Sequence, residues 1–108
     1  MEQIHDEDGE ADALCADATR EADVAALVAD WVRRYGRIDV LHNNVGIGAG
    51  DRGPTSMTEE VWDRIHNTNL KSVMFTCKHV LPVMRAQERG VITNISSVAA
   101  IASTPVLA

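Results

Sequence analysis

Short runs of β-branched and apolar residues alternate in this chain with longer stretches whose apolar residues recur at helical spacing, and that alternation leaves few folds open. The clearest run is 38–42, Ile-Asp-Val-Leu-His, set between Gly36 and the turn Asn43-Asn44-Val45-Gly46. A second covers 91–96 and closes on Ser96-Ser97. A weaker one covers 11–16 and is broken by Asp17-Ala18-Thr19. Strands alternating with helices imply a parallel sheet flanked by helices.

The helical stretches are the better marked. Val24, Leu27, Val28, Trp31 and Tyr35 make one apolar stripe and predict a helix over 20–35. Thr19 is its expected N-cap, Glu21 and Asp23 suit the positive end of its dipole, and Gly36 suits the position just past its end. Thr58 is expected to cap a second helix whose buried side is Val61, Trp62 and Ile65. A longer helix is predicted over 67–88, with Leu70, Val73, Met74, Cys77, Val80, Leu81 and Met84 as its apolar face. Pro82 should bend it or remove one hydrogen bond, and Gly90 should end it. Residues 1–10 read as helix or loop, 46–57 as a glycine-bearing loop, and 98–108 as a small, apolar segment turning at Thr104-Pro105.

The chain has 108 residues, enough for one small domain. A net charge of -6 argues against a nucleic-acid partner, which wants a basic face. No apolar run approaches the roughly 18 residues of a membrane span, so no membrane is expected as a partner. The acidic start lacks the order of a signal peptide. Cys15 and Cys77 read as reduced core residues, and the expected location is cytoplasmic. His5, His42, His66 and His79 show no ligand spacing, so no metal site is expected.

Three polar clusters fall on element ends: the Asn43 turn, Asn69 near the start of the long helix, and Ser96-Ser97. In a parallel sheet, ligands bind outside the carboxyl ends of the strands. The Asn43 turn and Ser97 should therefore lie close together, with Asn69 within reach of the same cleft. Each also has a structural reading. Asn69 can serve a backbone group, Ser97 can simply turn the chain, and His42 reads as a satisfied core histidine. The sequon Asn94-Ile95-Ser96 falls inside an expected buried strand and reads as accidental. The glycines of 46–57 lack the Gly-Lys-Ser/Thr of a phosphate loop, and Ser97 has no evident histidine partner for a hydrolase triad.

At Asn43-Asn44-Val45-Gly46, Asn67-Thr68-Asn69-Leu70-Lys71 and Ile95-Ser96-Ser97-Val98 the chain resembles the short-chain dehydrogenase/reductase family. Asp17-Ala18-Thr19, Gly36-Arg37-Ile38-Asp39-Val40-Leu41 and Leu81-Pro82 with Met84 add to the likeness, which covers nearly all of 10–108. The resemblance implies an α/β fold, an incomplete Rossmann-like doubly wound parallel sheet holding the third, fourth and fifth family strands. In the family order 3-2-1-4-5-6-7, only 38–42 and 91–96 would be neighbours here, and an open edge would lie beside 38–42. It also implies NAD or NADP as cofactor, at a partial site, and an alcohol or carbonyl small molecule as substrate. Asp17 and Ala18 match positions at the adenine ring, and Asn43, Val45 and Gly46 match the turn along the cofactor. Asn69 matches the asparagine holding a water of the proton relay, and Ser97 the serine that hydrogen-bonds the substrate. Val45 replaces the family's usual alanine.

The family's Thr-Gly-x-x-x-Gly-x-Gly turn and its Tyr-x-x-x-Lys pair are missing from these residues, and Tyr35 cannot stand in for the tyrosine. Residues 1–108 are therefore expected to be a partial dinucleotide-binding domain, truncated at both ends and inactive as it stands. The alternative is a binding or assembly remnant that associates through the 67–88 helix, whose apolar face resembles the family's subunit-contact helix.

Overall fold

A computed structural model describes residues 9–48, 50, 53–97 and 101. The expectations for residues 1–8 and for the Thr104-Pro105 turn lie outside the described residues. In order, the elements are α1 (Glu21–Tyr35), β1 (Val40–Asn43), α2 (Glu59–His66), a π-helical turn (Asn67–Lys71), α3 (Ser72–Gln87) and β2 (Val91–Asn94).

The α1 stripe is met in part, since Trp31, one of its members, is 40% exposed. Val24 is almost fully buried, and Val28 and Val32 pack on the core. Gly36 ends the helix at φ 79° and donates its N–H to the Val32 carbonyl at 2.8 Å. The cap at the other end differs from expectation. Arg20, not Thr19, sits at the N-cap, and no side chain caps the helix there. Thr19 is taken up instead by Asp17, whose Oδ1 accepts the Thr19 backbone N–H at 2.9 Å and its hydroxyl at 2.6 Å. That Asx turn competes directly for the side chain that would have capped α1.

Residues 11–16 form no strand. A strand is held by a neighbour, and the two-stranded sheet described here is β1 beside β2. The segment is tied down by side chains instead. Asp12 accepts from the Tyr35 hydroxyl and lies 3.6 Å from the Arg34 guanidinium. The pairing of β1 with β2 is parallel, as expected, with Val40 opposite Val91, Leu41 opposite Ile92, His42 opposite Thr93 and Asn43 opposite Asn94. Both strands are shorter than expected, and Ile38 lies before β1 as a buried core residue.

The core sits on one face of this sheet. Ile38, Val80 and Met84 form it, with Val28, Val32, Leu41, Val83 and Ile92 packed around them. The other face is open, with Val40 60% and Val91 56% exposed. His42 is on that open face, hydrogen-bonded to the Thr93 hydroxyl at 2.6 Å, so it is satisfied but is not a core residue. The chain exposes 8083 Å². A folded monomer of 11.7 kDa exposes only about 5,900 Å².

The two expected later helices run on as one column joined by the π turn. Thr58 caps α2 as expected, accepting the Val61 N–H at 3.2 Å. Pro82 lies inside α3 without ending it. The end of α3 differs from expectation. Glu88, at φ 55°, takes the left-handed position, and Arg89 N–H reaches back to the Met84 carbonyl at 3.2 Å. Gly90 has a different role. A Cβ there would overlap the side chain of Met84, coming within 2.9 Å of its Cβ.

One side chain joins the end of α3 to the start of β1. Gln87 Oε1 accepts the Ile38 N–H at 2.9 Å, and its Nε2 donates to the Ile38 carbonyl at 2.7 Å. The side-chain amide thus pairs with Ile38 as a neighbouring strand would. Gln87→Leu keeps much of the volume and strands both part-buried backbone groups, so it is expected to destabilise the chain by about 1–3 kcal/mol. A urea midpoint unchanged from wild type would contradict this.

Candidate functional site at the carboxyl edge of the sheet

The parallel register sets the last residues of β1 and β2 abreast, so the turn after β1 and the Ile95-Ser96-Ser97 segment leave the sheet side by side. Ile95 N–H donates to the Asn43 carbonyl at 3.0 Å and carries the ladder one step past the strands. At this edge Asn43 faces the helices. Its Oδ1 accepts from the Thr76 hydroxyl at 2.7 Å, and its Nδ2 donates to Asn94 Oδ1 at 2.9 Å.

Asn69 reaches the same turn from the π-helical segment. Its Oδ1 accepts the Ile47 N–H at 2.7 Å and its Nδ2 donates to the Ile47 carbonyl at 2.8 Å. A π turn carries one residue more than an α turn, and such insertions are frequent at functional sites. Here it puts Asn69 over the loop. Gly46 lies under it, with room for a Cβ at 3.7 Å from Asn69 Oδ1, and among the described residues nothing within 4 Å would meet a Cβ on Gly48. Val45 projects outward and is exposed. The turn is therefore a pinned backbone with an open upper surface.

Of the residues singled out from sequence, the structure gathers Asn43, Val45, Gly46 and Asn69 in one place, with Ser97 exposed just beyond the adjacent strand end. Asp17 and Ala18 stand apart from them. The hydrogen bonds of Asp17 all run to the start of α1: to Thr19, from its own N–H to Asp23 Oδ2 at 2.9 Å, and from Arg20 N–H at 3.0 Å. The Thr19 hydroxyl and then the Thr19 N–H hold the Asp17 carboxyl below the usual carboxylate range. A groove of about 270 Å³ beside this segment is lined by Leu14, Cys15, Asp23, Ala26 and Leu27, and so lies away from the strand-end asparagines. Sequence reasoning missed Thr76 and Asn94. A polar residue facing inward from an apolar helix was the available signal for Thr76, and its place opposite Asn43 in a parallel pair was the signal for Asn94.

Among the described residues no three His, Cys, Asp or Glu side chains converge as a metal site would need, and no helix is long and apolar enough to cross a membrane.

The profile of the family described as short chain dehydrogenase matches residues 1–108. The 3-oxoacyl-(acyl-carrier-protein) reductase of Thermotoga maritima is 40% identical over 97 residues, covering 90% of this chain and 39% of the relative. A solved structure from Burkholderia xenovorans, named only as a short-chain dehydrogenase/reductase, superimposes with a TM-score of 0.92. It is 39% identical and covers 97% of this chain and 41% of the other. ElxO, solved with NADP bound, superimposes with a TM-score of 0.77 at 33% identity, over 83% of this chain and 36% of its own. The chain thus spans about two fifths of the length of the proteins it matches.

Two outcomes follow from the geometry. Asn69→Ala removes both bonds to Ile47 and is expected to speed amide exchange at Ile47 by about tenfold or more, with the α3 amides unchanged. Equal exchange rates in the two proteins would refute the clamp. For Asp17 the folded carboxyl lies below its unfolded value, so the turn it holds is intact above the unfolded value and lost as pH falls through the folded one. Thr19→Val should move the Asp17 titration, followed by carboxyl-carbon NMR, back up towards the ordinary range.

Proposed function

Since this chain belongs to the short chain dehydrogenase family, we propose that its 108 residues form the middle of a nicotinamide-dinucleotide site in an oxidoreductase domain. In this reading Asn43, Val45 and Gly46 line the cofactor, and Asp17 and Ala18 serve its adenine end. Asn69 holds a water of the proton relay, and Ser97 hydrogen-bonds an alcohol or carbonyl substrate. The cofactor, NAD or NADP, supplies hydride transfer when bound. One observation carries the reading. The parallel register brings two strand ends abreast, and at that edge Asn69 pins a glycine-bearing turn whose upper surface is open. That is where open α/β sheets take their ligands, and NADP is bound to the similar protein ElxO.

The chain's own residues divide the work. Asn69 commits its side-chain amide to Ile47, so its contribution to a water site would come through its backbone and the position it gives the turn. Ser97 supplies a hydroxyl at the strand end. The 108 residues include neither the glycine-rich turn nor the Tyr-x-x-x-Lys pair, so these residues hold no group to move the proton that accompanies hydride.

Association through the long helical column belongs to the same proposal. Within 67–88, Leu70 and Met74 are 65% and 49% exposed, which supports it. A cytoplasmic setting is also part of it, supported by the free thiols of Cys15 and Cys77.

The purified 108-residue chain is expected to show no NAD(P)H-linked turnover with a panel of alcohols and ketones, read by nicotinamide absorbance. Its affinity for NAD(P)H is expected to be weaker than about 1 mM, because the phosphate-binding helix terminus is not among these residues. Sustained turnover, or micromolar binding by calorimetry, would contradict the reading.

A further inference from the structure

The Thr76 hydroxyl has one proton and two acceptors within reach: Asn43 Oδ1 at 2.7 Å and the Val73 carbonyl at 3.0 Å. A threonine inside a helix ordinarily gives its proton to the carbonyl three or four residues back. Here the shorter contact is to another oxygen, and two oxygens 2.7 Å apart need a proton between them. The proton is therefore committed to Asn43. A carboxamide has one accepting end and one donating end. Once Thr76 donates to Oδ1, Nδ2 must face the other way, towards Asn94, where it finds Oδ1 at 2.9 Å. The row runs from the Thr76 hydroxyl through the Asn43 amide to Asn94.

We infer that Thr76 is a positioning residue for the turn after β1. By donating to Asn43 it fixes which way that amide faces, and through the amide it holds the strand end from which Val45 and Gly46 follow. The consequence for a ligand rests on the reading of that turn as a cofactor site. Thr76 is well placed for the role because it is not one of the residues that make the core, which are Val80 and Met84 of α3 and Ile38 before β1. Valine is nearly the same shape, so Thr76→Val removes the donor and leaves the volume. Asn43 Oδ1, part-buried, then faces a methyl group. The amide must turn over or give up Asn94, and either movement loosens the turn.

The test compares the whole 108-residue chain as wild type, Thr76→Val and Thr76→Ser by nitrogen-15 NMR. Three signals are followed: the Asn43 side-chain amide, the backbone amides of Val45, Gly46 and Ile47, and those of Val80 and Met84. In Thr76→Val the Asn43 side-chain signals should shift, and exchange at the turn should rise about threefold to tenfold, with Val80 and Met84 unmoved. Thr76→Ser, which keeps the hydroxyl, should restore wild-type behaviour. Three results would overturn the inference: unchanged Asn43 and turn signals in Thr76→Val, a serine variant that behaves like the valine one, or a rise in exchange that spreads equally to Val80 and Met84. Adding NADP to the wild-type sample separates the two claims. With NADP raised to about 20 mM, above the weak affinity expected for these residues, turn amides that fail to move would remove the cofactor reading and leave the role of Thr76 to stand or fall on the first comparison.

Discussion

The burial of Val80 and Met84 against Ile38 is the contact on which the rest of this structure depends. Those two residues are four apart on α3, so fixing both fixes the rotation of the helix about its axis. Extending the same row by one turn towards the amino end reaches Thr76, which meets Asn43 at the end of β1. Extending it to Gln87 reaches Ile38, just before β1 begins. One ridge of α3 therefore grips a strand at both ends with polar groups and in the middle with apolar ones. Apolar burial supplies most of the energy, while the two polar ends supply register, since a hydrogen bond has a geometry that a methyl contact lacks.

A second attachment between the helices is of another kind. Glu21, at the start of α1, meets Lys78 and His79 of α3, which hold its carboxyl below the usual range. Lys78 and Glu21 are 56% and 41% exposed, and ion pairs open to water contribute little to stability. They orient α1, whose hold on the core comes from Val28 and Val32.

What could be read from the sequence was what depends on local pattern. The α1 stripe, Gly36 past its end, Thr58 as a cap and the two paired strands all follow from residue spacing and backbone preference. What could not be read depends on what lies alongside. Residues 11–16 have strand-like composition, but a strand exists through its neighbour's hydrogen bonds. Thr19 has the chemistry of a cap but lies two residues from an aspartate that claims it first. Gly90 looked like a helix terminator, yet Glu88 takes the left-handed turn and Gly90 is needed to clear Met84. At the candidate site, Asn69 fell where expected, but its bonding to Ile47 became visible only in three dimensions, because 22 residues of chain separate the two.

The π turn at Asn67–Lys71 divides the helical column into two lengths that do not share a phase. Upstream, α2 presents the side set by Val61 and Ile65; downstream, α3 presents the side set by Thr76, Val80 and Met84. With one residue more than a regular turn between them, the angular position of the first face no longer dictates that of the second. The loop side of the column can therefore drift in sequence, and its outer surface can be reshaped, while the sheet side keeps its grip. Asn69 stands at the joint between the two, where a small rotation of one length against the other is felt directly by the turn it holds.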